Sequence, residues 1–234
     1  MDDVIGAVAE LADRREKAAL ASLIWSSGSI PMSERAKMLV HSGGKVVGTI
    51  GGGCLAAEIL AVASEVLIDG VARATEYTMT EKQAGESGLN CGGSVRILTE
   101  SIDPIEDAPF YDTVMRTRKE RRSCVLATMV GRSASAKLLL VDNGSTHGTL
   151  GDAVAEKMVR EQLLDLLAAD KGVLIDLPSA GVHSEEREIF VEPFMPAPEL
   201  FVFGGGHVGG EIAMLAANVG FSVTVIDDRE AFAN

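Results

Sequence analysis

The residues best placed to do chemistry are two cysteines set among glycines. Gly51-Gly52-Gly53-Cys54 follows an extended run, Lys45–Ile50, and leads into a helical pattern over Leu55–Asp69. Gly88-Leu89-Asn90-Cys91-Gly92-Gly93 makes a second, similar turn. A strand that ends in glycines and passes into a helix bares backbone N–H groups, and these together with the helix dipole hold an anion. The same field favours thiolate over thiol at Cys54. Gly51, Gly52, Gly53, Gly92 and Gly93 thus read as an anion cradle. Cys54 and Cys91 read as its thiols, able to ligate a soft metal or carry sulfur. The other reading of each turn is a tight connection with a small buried cysteine.

A third glycine turn lies near the C-terminus. Leu200–Phe203 is a buried-type strand, Gly204-Gly205-Gly206-His207-Val208-Gly209 fits G-x-G-x-x-G, Gly210–Val219 is helical, and Ser222–Ile226 is a second strand ending in Asp227. This is the order of a dinucleotide-binding βαβ unit, with Gly204, Gly206, His207 and Gly209 at the pyrophosphate and Asp227 on the ribose. Helix packing or plain exposure is the other reading of His207. Two strands do not make a full Rossmann sheet, so the unit reads as truncated or as completed by another chain. Its open strand edge points to a homodimer.

The elements that position these turns recur. Asp2–Lys17 reads as an amphipathic helix and Ala18–Trp25 as a buried strand. Ala36–His41 and Lys45–Ile50 form a hairpin around Ser42-Gly43-Gly44, and Ala72–Met79 and Ser94–Thr99 are further strands. Ala36-Lys37-Met38-Leu39-Val40 returns 100 residues later as Ala136-Lys137-Leu138-Leu139-Leu140, and Gly48-Thr49-Ile50-Gly51 as Gly148-Thr149-Leu150-Gly151. The helix returns over Asp152–Ala169, and Arg96-Ile97-Leu98-Thr99-Glu100 resembles Glu188-Ile189-Phe190-Val191-Glu192. Acidic, proline-bearing Ile102–Pro109 and proline-rich Pro193–Pro198 read as linkers. The expected fold class is α/β. An internally duplicated mixed-sheet domain over residues 1–195 (halves about 1–109 and 110–195) precedes an incomplete Rossmann-type βαβ unit over 199–234. Where the first half has Gly52-Gly53-Cys54 the second has Asp152-Ala153-Val154, and Cys91-Gly92-Gly93 gives way to residues around Ser184–Arg187. Strands and helix survive without the glycine–cysteine turns, so the scaffold does not need them.

The chain has 234 residues, 47% hydrophobic and 24% charged, and a formal net charge of −13. That balance suits a globular core and argues against nucleic acid or an anionic membrane as partner. Arg116–Arg122 is a local basic run that reads as a solvated helix end. No leader and no apolar run of about 18 residues is visible, so a cytoplasmic protein is expected. Three cysteines without CxxC spacing fit free thiols in a reducing compartment, which disfavours a lasting Cys54–Cys91 disulfide. Cys124 opens an apolar run and reads as core. His41, His147 and His183 form no ligand spacing, no metal site is expected, and no triad or paired-carboxylate site is visible.

With Val47–Cys54, Leu89–Gly93 and Val202–Gly209 in this order, the chain resembles the xanthine dehydrogenase accessory factor family (XdhC/CoxI). The resemblance implies an N-terminal family domain followed by a Rossmann domain. It further implies binding of molybdenum cofactor, help with its sulfuration and insertion into a molybdenum hydroxylase, and a cysteine desulfurase as a further partner. Many members carry a Glu two residues after the first motif cysteine, where this chain has Ala56. The alternatives are an NAD(P)-dependent oxidoreductase using the GGGHVG turn, and a structural docking partner that binds no cofactor.

Overall fold

The computed structural model describes residues 2–78, 92–131, 136–169, 171–178 and 187–232. Two short helices, α1 (Asp2–Ala9) and α2 (Leu11–Arg14), open the chain, and α2 ends at left-handed Arg15 (φ 49°). The single helix expected over Asp2–Lys17 is therefore broken. The first sheet comprises β1 (Ala18–Ser27), β2 (Lys37–His41), β3 (Val46–Thr49), β4 (Arg73–Thr78) and β5 (Ser94–Ile102), in the order β3-β2-β1-β5-β4. Helix α3 (Gly53–Asp69) joins β3 to β4, and α4 (Ala108–Lys119) leads on from β5. The second sheet comprises β6 (Cys124–Val130), β7 (Lys137–Val141), β8 (Thr146–Gly148), β9 (Val173–Asp176) and β10 (Glu188–Phe194), ordered β8-β7-β6-β10-β9. Both sheets thus share one strand order. Every pairing in them is antiparallel, which corrects the expected mixed sheet. The β–helix–β connections run between strands that never pair with each other, so no parallel pair results.

Alternation along β1 shows how the layers stack. Ala19, Ala21 and Leu23 pack with Ile59, Ala63 and Val66 of α3. Ala18 and Leu20 face the other way, onto Leu126 and Leu139 of the second sheet and onto α1 and α4. A strand buried on both faces needs a nearly continuous apolar run, and Ala18–Ile24 is one, broken only at Ser22, whose hydroxyl is hydrogen-bonded. The second sheet's outer face is covered by α5 (Ala153–Glu161) and α6 (Leu163–Ala168), so the helix expected over Asp152–Ala169 is split at Gln162.

Of the two proline-bearing linkers, the first is ordered structure and the second shortens to irregular residues 195–198 between β10 and β11. In the first, β5 runs on to Ile102, Asp103 turns the chain by accepting the Ile105 and Glu106 amides, and Pro109 sits in the first turn of α4, where a missing N–H costs nothing. In the second, Pro193 pairs with Val125 inside β10. Strand β9 accompanies β10 only over Glu188–Val191, so Pro193 has one neighbouring strand and withholds no ladder donor from a second.

Between the sheets lie four buried charges. Lys37 Nζ of β2 is 2.9 Å from Glu192 Oε2 of β10 and donates to Ser22 Oγ at 2.8 Å. Lys137 of β7, wholly buried, makes the reciprocal pair with Glu100 of β5, with Asp107 3.7 Å away. Arg96 of β5 meets Glu188 of β10 in a two-pronged contact at 2.5 and 2.6 Å.

The last element is a parallel pair, β11 (Glu199–Phe203) and β12 (Ser222–Ile226), with α7 (His207–Asn218) between. It is tied to α4 by Arg118 Nε donating to Met195 O (2.8 Å) and by the loop residue Arg121 against Glu199 (2.7 Å).

Removing one member of a buried ion pair strands the other charge. Glu192→Ala is expected to lower the unfolding free energy by about 3–5 kcal/mol, whereas Lys37→Met with Glu192→Leu stays near wild type or exceeds it. Urea unfolding of the three proteins checks this, and equal losses in both variants would contradict it.

Candidate functional site

The first glycine turn starts from the β2–β3 hairpin, in which Met38 pairs with Gly48. Gly48 has φ +78°, and a Cβ there would sit 2.4 Å from Val4 Cγ2 and 2.5 Å from Lys37 O, so only glycine lets α1 lie this close. Thr49 Oγ1 then donates to Gly51 O at 2.7 Å, and Ile50 plugs into the cluster beneath α3. Gly51 (φ +98°) and Gly53 (φ +62°) are left-handed, while Gly52 between them is extended. A positive φ followed by helical residues curls successive N–H groups into a concavity for an anion. Helix α3 begins here without a side-chain cap and without an acidic residue in its first turn. Cys54, in that turn, is an exposed free thiol.

The corresponding turn of the second half is built the opposite way. Asp152 caps α5, its Oδ1 accepting the amides of Val154 (2.9 Å) and Ala155 (3.1 Å). Its Oδ2 takes a 2.6 Å contact from Arg187. The Ala155 amide and the Arg187 guanidinium hold the Asp152 carboxyl below its usual range. Glu156 accepts the Leu150 amide at 3.0 Å and the Thr149 hydroxyl. Two carboxylates therefore occupy the donors here. At the matching positions the first half has Gly52 and Ala56, and among the described residues no side chain accepts from its first-turn amides.

Half of the second glycine turn is joined to the first. Cys91 lies outside the described residues. Gly93 is buried, and a Cβ on it would sit 2.6 Å from Ser29 O and 2.7 Å from Ser27 O. Gly28 (φ +74°) packs back onto Gly92 and Gly93. The same loop then reaches Gly51 through Met32, whose Cε is 3.1 Å from where a Gly51 Cβ would be. The segment after β1 thus bridges Gly92–Gly93 to Gly51.

The third turn keeps its glycines for close approach. A Cβ on Gly205 would lie 2.1 Å from Phe232 O, and one on Gly209 1.7 Å from Gly204 O. Gly206 precedes α7 in an extended conformation without a cap, and His207 begins the helix, exposed. Asp227 is engaged within the turn. Its Oδ2 accepts the Gly205 amide at 2.7 Å, and its carboxylate bonds the Arg229 Nε (2.8 Å) and Nη2 (2.9 Å). The Arg229 guanidinium holds that carboxyl far below the usual carboxylate range.

Of the remaining candidates, Cys124 and His41 lie in the interior. Cys124 is fully buried and burial pushes its thiol up to about 12. His41 is buried with Nδ1 3.2 Å from Glu16 Oε2, His147 is exposed, and His183 lies outside the described residues. Among the described residues no group of three or more His, Cys, Asp or Glu is placed to hold a metal ion, and no helix is long and apolar enough to cross a membrane. The basic run ends α4, where Arg118, Arg121 and Arg122 are spent on Met195 O, Glu199 and Asp142. Sequence reasoning missed the caps Asp152 and Glu156 and the charges between the sheets. A lysine or glutamate repeated inside two apolar strands was the available signal.

Fold and turn together define an α/β protein of two facing antiparallel sheets that presents an exposed thiol at an uncapped helix start. The XdhC and CoxI family model matches residues 11–78 and 117–177, and the chain belongs to that family. It is 25% identical over 224 residues to a probable xanthine dehydrogenase subunit of Bacillus subtilis (strain 168), covering 95% of this chain and 63% of that protein. An uncharacterized protein, YqeB, of Escherichia coli (strain K12) is 32% identical over 101 residues, 40% of this chain and 19% of YqeB. A crystal structure of a xanthine dehydrogenase from Bacillus halodurans shares the fold, with TM-score 0.72 and 22% identity over 98% of this chain and 63% of that one. The chain thus spans under two thirds of the length of these relatives.

The exposure difference between two cysteines has a direct readout. In a Cys91→Ala background, Ellman's reagent at mildly alkaline pH is expected to titrate about one thiol per folded chain, at Cys54, and about two after unfolding. Rapid reaction of both thiols in the folded protein would contradict the burial of Cys124.

Proposed function

We propose that this chain is an accessory protein for a molybdenum hydroxylase of the xanthine dehydrogenase type, which takes molybdenum cofactor as cargo, presents it for sulfuration and hands it on. The carrying observation is the contrast between the two turns. The second half fills its turn with Asp152 and Glu156, and in the first half no side chain among the described residues takes the same donors beside an exposed Cys54. The cargo has a phosphate and a soft, sulfur-ligated metal. Phosphate suits the amides of Gly53, Cys54 and Leu55 at the helix start, and a thiol suits the metal or the sulfur to be transferred. Family membership supports the same role, and the names of the relatives agree with it. Partners on this reading are the hydroxylase, a cysteine desulfurase as sulfur source, and a second copy of the chain. The shared strand order supports reading the two halves as copies of one unit, with only the first keeping the site.

A second reading, NAD(P)-dependent oxidoreductase chemistry, has its own observation. The uncapped start of α7 opens on a hollow of about 450 Å³ lined by Gly205, Gly206, His207 and Gly210, which suits a pyrophosphate at a Rossmann-type turn. Asp227 already spends its carboxylate on Gly205 and Arg229, so a ribose must displace those bonds.

The test grafts the second half's turn onto the first. Gly52 is extended and a Cβ there meets nothing within 4 Å, so an aspartate fits. Gly52→Asp/Ala56→Glu, which leaves left-handed Gly53 (φ +62°) in place, is expected to keep the fold, with helix capping adding about a few tenths of a kcal/mol, and to lose molybdenum cofactor retention under reducing, anaerobic conditions. Retention equal to wild type would remove the first turn as the site. Absence of retention by wild type would overturn the accessory reading, and a nicotinamide nucleotide titration then decides for the second.

A further inference from the structure

A crevice of about 280 Å³ opens between the two sheets, lined by Trp25, Ser26 and Glu34 of the first half and Lys171, Gly172 and Leu174 of the second. Trp25 is 42% exposed, unusual for a large ring in a strand otherwise buried from Ala18 to Ile24. A register shift between Leu23 and Trp25 interrupts the alternation of β1 at this point, and such irregularities re-aim side chains next to binding sites. Opposite, Gly172 presses its backbone onto the Phe190 ring, where a Cβ would lie 2.4 Å from Cε2, so the wall there has no side chain. At the rim, Glu34 Oε1 and Lys171 Nζ are 3.3 Å apart, with about half of each side chain exposed. An exposed pair of this kind contributes little stability, so either partner is free to re-pair with a ligand at small cost.

The crevice is also tied to the glycine turns. One segment supplies Trp25 and Ser26 to the crevice, packs Ser27–Ser29 on Gly93, reaches Gly51 through Met32, and returns to the crevice as Glu34. We propose that the crevice binds the flat ring of a pterin, stacked on the Trp25 indole, with the Glu34 carboxylate accepting from its aminopyrimidine N–H groups and Lys171 donating to its ring carbonyl. Stacking supplies attraction between two flat π-systems, and a carboxylate facing paired N–H donors supplies the selectivity. This rests on the cofactor reading above and locates the ring half of that cargo, apart from its phosphate.

Trp25 is the chain's single tryptophan, so its fluorescence reports the crevice alone. Titration with 6-hydroxymethylpterin, which has neither phosphate nor metal, is expected to quench that emission saturably. Glu34→Gln is expected to raise the dissociation constant about tenfold, and calorimetry on Trp25→Ala to show a loss of about tenfold or more. Circular dichroism confirms that each variant folds. No quenching, equal quenching by adenosine, or an unchanged affinity in Glu34→Gln overturns the proposal. Cofactor retention in the same variants separates the two readings. If the turn graft abolishes retention while Trp25→Ala and Glu34→Gln leave it at wild type, the crevice assignment falls and the turn stands. If pterin quenches as expected but wild type retains no cofactor, the accessory reading falls and the crevice stands.

Discussion

Everything in this fold hangs on getting four charges out of water in pairs. Lys37, Glu100, Lys137 and Glu192 lie on the facing sides of two sheets, and each lysine finds its carboxylate on the other sheet. Neither sheet can present its inner face to water-free contact alone, because each would bury one lysine and one glutamate without a counter-charge. Apolar contacts would let the sheets slide, since Leu20, Leu126 and Leu139 tolerate many registers. The reciprocal pairs do not, and the Arg96–Glu188 contact adds a third point of register. Such an arrangement favours one docking geometry over its neighbours more than it adds net stability.

Docking in that register sets what each outer helix can do. α3 and α5 both start after a glycine hairpin exit, and both face the helix-start problem of unsatisfied amides. In the second half the chain solves it locally, with Asp152 and Glu156 taking the donors and Arg187 balancing the charge. In the first half, left-handed Gly51 and Gly53 bend the backbone, and among the described residues no side chain takes the donors next to the thiol. Two turns in one frame therefore differ in a small number of side chains, and those side chains decide whether the helix-start donors are taken.

The glycine turns were legible in the sequence because positive φ and close approach leave few alternatives to glycine, as at Gly48, Gly93 and Gly209. The strands of both halves were legible from apolar runs, and the family from the motifs they carry. Linkers were misread where proline sits in ordered structure, at the start of α4 and in the stretch of β10 with one neighbour. Sheet composition was misread because hairpin signals fix neighbours, while the pairing of β1 with β5 and β6 with β10 is long-range. Lys37 and Glu192 carry no local sign of each other. Asp227 sits at the expected spacing, but spacing says nothing of Arg229, which turns its carboxylate onto the glycine loop.

The first turn is poorly suited to permanent retention. Its donors are neutral backbone N–H groups with no arginine or lysine among the described residues of the turn itself, and the chain around them carries a net charge of −13. Backbone donors at a helix start attract an anion through partial charges, while the surrounding field repels it. Enzymes that keep an anionic cofactor add full positive charges to such a cradle, because each charge-assisted bond slows release. An accessory protein has the opposite requirement, since cargo held too firmly is never delivered. On the accessory reading proposed above, an uncharged cradle at the surface of an acidic protein, beside an exposed thiol, would meet that requirement, admitting a ligand and releasing it to a recipient with stronger donors.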